Sequence, residues 1–136
     1  MIASQNLSFS VIQLIHNFGA VATVGGSLLA TQLRDDAARR RIAHVALIGW
    51  VTQAASGATF GMVTYHYYNQ FPDISGLAMD ALGIKMGCAT LGVLLLTTYL
   101  WQSHRWSELD KRKAWISSSI LAITAFSAAA FLRWFS

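Results

Sequence analysis

The sequence predicts an all-α protein, a four-transmembrane-helix up-down bundle with both termini on the outer (periplasmic) side. Three observations carry that expectation. The chain of 136 residues is 54% apolar and 12% charged, where about 25% charged residues is usual for a soluble domain. The apolar residues fall into four blocks, 7–33, 42–67, 77–101 and 114–135, and roughly 20 apolar residues suffice to cross about 30 Å of hydrocarbon. The basic residues are one-sided. Arg34, Arg39, Arg40 and Arg41 lie between the first and second blocks, and Arg105, Lys111, Arg112 and Lys113 between the third and fourth. No basic residue falls in the connection 68–76, so the two basic connections face the cytoplasm. The formal charge of +4 is therefore a topology signal, and nucleic acid is not an expected partner. Residues 1–136 form one integral membrane domain, multi-pass in a bacterial inner membrane, with the lipid bilayer as its first partner.

The first block follows a polar tail, Met1–Asn6, in which Ser4 or Asn6 is placed to cap the helix. No basic residue precedes the block, and it exceeds the 7–15 apolar residues of a signal-peptide core, so it is expected to remain in the mature chain. Along it His16, Gly19, Ala20, Thr23, Gly26, Ser27 and Ala30 recur at helical spacing on one narrow, small, weakly polar face. The rest is Leu, Ile, Val and Phe. That distribution is inside out for water and correct for lipid, where small residues mark helix contacts and bulky ones meet acyl chains.

The second block carries Gly49, Ala54, Ala55, Ser56, Gly57, Ala58 and Gly61, with His44 and His66 near its two ends. Tyr65, Tyr67 and Tyr68 read as an interfacial aromatic belt. The connection 69–76 holds the single proline, Pro72, with Asp73 and Ser75 as candidate caps for the third helix. The third block contains Asp80, Lys85 and the single cysteine, Cys88, so no intrachain disulfide forms. The fourth, with its serines and alanines, reads as packing, anchored outward by Arg133 and Trp134. Connections this short make sequential helices antiparallel neighbours.

Counted from the cytoplasmic ends of their helices, His16 and Lys85 lie at the same depth, roughly 22 Å up. An ionisable group inside a bundle points to function, and three readings of this pair stand open. In the first, His16 is an axial ligand of a b-type haem, with His66 or no second protein ligand on the other side of the iron, and Lys85, Arg133 or the tyrosines meeting the propionates. In the second, His16 and Lys85 exchange protons with a redox-active molecule such as a quinone. In the third, the pair is structural: His16 is hydrogen-bonded across helices and Lys85 snorkels outward. His44 and His104, near the inner surface, are additional histidines, and His104 reads as interfacial. No phosphate-binding glycine loop, nucleophile triad or tight Met/His copper cluster is apparent.

The run His16-Asn17-Phe18-Gly19-Ala20 with Gly25-Gly26, and Gly83-Ile84-Lys85-Met86 leading into a leucine-rich stretch, resemble a group of small bacterial inner-membrane proteins. That group includes the copper-resistance D family and the HemJ-type protoporphyrinogen oxidases. The resemblance implies a helix-one histidine and a helix-three lysine in one intramembrane site and, for the HemJ branch, haem binding with oxidation of a porphyrinogen. The sequence thus leads to a b-type haem protein of membrane redox chemistry, with His16, His66 and Lys85 as cofactor-binding residues. Its alternatives are a non-enzymatic accessory subunit of a larger membrane complex or homo-oligomer, packing through its glycine faces, and a HemJ-like porphyrinogen oxidase.

Overall fold

A computed structural model describes residues 2–135, with side chains described for 4–134. It contains four helices: α1 (Ile2–Gln32), α2 (Asp36–Tyr68), α3 (Leu77–Gln102) and α4 (Glu108–Phe135), with a 3₁₀ turn at Ser103–Arg105 between the last two. No strand occurs among the described residues. Three stretches, Ser4–Gln32, Leu77–Arg105 and Glu108–Trp134, are long and apolar enough to cross a membrane. The more polar α2 is not among them, although at 33 residues it is the longest helix.

Helix ends depart from the sequence expectation wherever polar residues extend a helix past its apolar block. Ser4 and Asn6 lie inside α1, and the Ser8 hydroxyl donates back to Ser4 O at 3.0 Å, so neither caps the helix. Asp35 is the N-cap of α2 and accepts from Ala38 N at 2.7 Å, which places Arg39, Arg40 and Arg41 within its first turns. The α2 terminus closes on Asn69 in the left-handed region, φ 53°. The N-cap of α3 is Gly76 at φ 54°, without a side-chain cap from Asp73 or Ser75. A positive φ costs glycine little.

The helices form two antiparallel hairpins, α1–α2 and α3–α4, each packed along its length. The hairpins meet less extensively along α1–α4 and α2–α3. In the first hairpin the small face of α1 is the buried one. A side chain on Gly49 would meet Thr23 Oγ1 at 2.5 Å and Gly19 O at 2.8 Å, so the backbones of α1 and α2 touch only because glycine is there. Thr23, Ser27 and Ala30 are fully enclosed, while Leu14, Phe18, Val21 and Leu29 face outward. The expected inversion holds: bulky apolar groups coat the outside and small residues pack inside.

Between the hairpins, contacts concentrate at the end that carries the α1–α2 and α3–α4 connections, here the basic end. Trp50, Leu96, Tyr99 and Trp115 are buried there, with the rings of Tyr99 and Trp115 edge-to-face at 5.0 Å. The indole of Trp50 occupies the space a Gly92 side chain would take. Ser27 of α1 and Ser118 of α4 share a 2.8 Å hydrogen bond. Four charges close that end. Arg39 Nη1 lies 2.8 Å from Glu108 Oε2, and Lys111 Nζ lies 2.6 Å from Asp36 Oδ2 and 3.0 Å from Glu108 Oε1. Arg39 Nε also donates to Leu33 O at 2.9 Å. The opposite, terminal end contains smaller groups: Ala78, Ala81, Ala125 and Ala128.

Candidate functional site

The polar feature of the terminal half is a chain of hydrogen bonds through three helices. Lys85 Nζ of α3 lies 2.9 Å from His16 Nε2 of α1, and His16 Nδ1 lies 2.7 Å from Ser56 Oγ of α2. The Ser56 hydroxyl donates to Thr52 O at 2.6 Å. A hydroxyl has a single hydrogen, so Ser56 accepts from His16 Nδ1–H. The neutral ring then presents its Nε2 lone pair to a Lys85 N–H. Both ring nitrogens of His16 are satisfied in this tautomer. The bond between His16 and Lys85 also links α1 to α3, the helices on one diagonal of the bundle.

Local sequence sets this arrangement. His16 precedes Gly19 by one turn, and Gly19 packs against Gly49 O and the Gln53 and Thr52 side chains. This close approach of α1 to α2 delivers the imidazole to Ser56. Below it, Gln53 Nε2 donates to Thr23 Oγ1 at 3.3 Å, and Thr23 donates to Gly19 O at 2.8 Å. Lys85 has His16 as its hydrogen-bond partner and no carboxylate among the described residues. An ammonium offers three N–H donors, so two of the Lys85 donors are uncommitted.

The structure therefore brings His16 and Lys85 together and leaves His66 outside their hydrogen-bond chain. His66 is exposed near the end of α2, its ring edge-on to Tyr67 at 5.2 Å. His44 is exposed and bonded to Arg40 O of its own helix at 2.8 Å. His104 is exposed and accepts from Arg105 Nε at 3.2 Å. No group of three or more His, Cys, Asp or Glu side chains suited to a metal ion occurs among the described residues.

For a haem the observed arrangement does not fit as it stands. Both ring nitrogens of His16 are engaged, Nδ1 by Ser56 and Nε2 by Lys85, and an iron ligand needs a free nitrogen lone pair. An open groove of about 330 Å³ runs along the outside of α1 and α2, walled by Ile12, Ile15 and Val51 and floored by Thr52 and Ser56. Ser56 escaped the sequence reading as a site residue because serine is common in helix contacts. The signal was the antiparallel register: the pairing of Gly19 with Gly49 carries His16 to the level of Ser56.

Compared with known protein families, curated proteins and solved structures, the chain finds no match.

Proposed function

We propose that the protein is a small four-span protein of a bacterial inner membrane, its basic end cytoplasmic and its termini periplasmic. It takes part in membrane redox chemistry by exchanging protons, at His16 and Lys85, with a membrane-soluble molecule of the quinone class. The observation that carries this reading is the 2.9 Å contact between Lys85 Nζ and His16 Nε2: two proton-carrying groups sit inside an apolar bundle with no carboxylate partner among the described residues. Ionisable groups at such depth are costly to keep and serve function by default. Support for a fourth span comes from α2 itself, whose Val45, Ile48, Val51 and Met62 face outward, as the lipid-facing residues of α1 do.

Within this reading Lys85 donates a hydrogen bond to a ligand oxygen, and His16 holds the lysine in place while Ser56 fixes the ring. Solvent extraction of the purified protein, followed by chromatography, tests it. A quinone that co-purifies with the wild type and is lost from His16→Ala and Lys85→Ala supports the assignment. Equal quinone in all three preparations overturns it.

A b-type haem is the second reading, favoured by the uncommitted donors of Lys85, which suit a propionate. It requires Lys85 to withdraw from Nε2. An absorption spectrum, oxidised and then dithionite-reduced, decides: a reduced b-type spectrum at about one haem per chain, absent from His16→Ala, replaces the quinone reading.

A further inference from the structure

We propose that the ligand reaches Lys85 sideways from the lipid, through an opening between α2 and α3 at the terminal end, and that it is an amphiphile with a carbonyl-bearing ring and a long apolar chain. The inference rests on the reading of His16 and Lys85 as a head-group site, and it adds the route and the shape of what travels along it.

The opening follows from the way α2 and α3 meet. Trp50 is seated on Gly92 so tightly that a side chain at Gly92 would run into the indole. Arg40 Nη1, nearer the basic end, donates to Leu100 O at 2.8 Å. These contacts pin the two helices together and set their antiparallel register. Gly57 lies two turns beyond Trp50 on α2, and Lys85 two turns before Gly92 on α3. They therefore share one level and one facing side. Among the described residues, nothing beyond the local α2 backbone and the chain neighbours approaches within 4 Å of where a side chain on Gly57 would begin, nor on Gly61 one turn further. The face that Trp50 fills near the basic end is left open beside Lys85.

Chemistry selects the occupant. Lys85 has two N–H donors beyond the one that meets His16, and no carboxylate among the described residues pairs with it, so an oxygen acceptor is complementary. The residues that flank Lys85 on α3 are apolar and exposed, Ile84 and Met86, so the remainder of the ligand is hydrocarbon. The groove on the other side of α2 is a poorer berth for the head: Ser56 has spent its hydrogen on Thr52 O and has none left to donate.

The test is equilibrium binding of a radiolabelled decyl-substituted benzoquinone to the full chain in lipid nanodiscs. Gly57→Leu should weaken binding about tenfold, a loss of about 1.4 kcal/mol. Gly25→Leu should leave it within about twofold, because Gly25 is an equally open position on α1. If Gly57→Leu does not give a folded protein, Gly57→Cys in a Cys88→Ala background is modified after purification with a benzyl thiosulfonate; binding before modification and its loss afterwards carry the same meaning. Unchanged binding in the blocked protein, with Lys85→Ala still impaired, overturns the opening and keeps the head-group site. No specific binding to the wild type overturns both.

Discussion

Trp50 occupies the space above Gly92 that any other residue's side chain would fill, with Nε1 2.5 Å from that point. The contact is backbone on one side and a buried indole on the other, so neither can yield cheaply. Gly92→Ala should therefore destabilise the bundle by roughly 1–3 kcal/mol, the usual cost of overpacking, and Trp50→Phe in the same chain should recover part of it. Thermal unfolding in detergent, followed by circular dichroism, checks both. An unchanged midpoint for Gly92→Ala would show that the hairpins are not pinned there.

Ser27 and Ser118 are fully enclosed and bonded to each other. Ser118→Ala should cost about 0.6 kcal/mol, the average for a hydrogen bond between membrane helices. The double replacement by alanine should cost less than the sum of the singles, since it leaves no hydroxyl without a partner. Additive losses would mean that the two hydroxyls are stabilised independently.

At the basic end, Arg39 and Lys111 are nearly buried while Asp36 and Glu108 stay exposed. Removing Arg39 or Glu108 takes the same bond away, so Arg39→Ala and Glu108→Gln should be markedly non-additive in a double-mutant cycle. Each single change should lower the unfolding midpoint. Additivity would place the two side chains outside one network.

Topology is checked by labelling. In a Cys88→Ala background, Ser107→Cys should react with a membrane-impermeant maleimide only after the cytoplasmic face is exposed, and Ser75→Cys should react in intact spheroplasts. The reverse pattern would turn the protein over and place the His16–Lys85 pair nearer the cytoplasm.

Much of the fold was legible because lipid imposes a simple rule on composition. The small face of α1 that could be read off as Gly19, Thr23, Gly26 and Ser27 is the buried one, and equal depth along two parallel helices put His16 at the level of Lys85. The ends were not legible, because hydropathy marks where a chain is apolar and a helix is free to run beyond it. Asp36, Arg39 and Glu108 look like loop residues in sequence, yet they are helical and grip one another across the bundle. The roles of Ser56 and Gly57 were hidden for a different reason. Small residues are interchangeable in a list, and only the rotation and register of α2 distinguish the one that bonds His16 from the one that borders open space.

The uneven join between the hairpins gives the molecule the mechanics of a clothes-peg. Its jaws are α1–α2 and α3–α4, its spring is the aromatic and ionic packing of the basic half, and the bond from Lys85 to His16 is the latch that fastens the jaws. Breaking the latch leaves the spring intact.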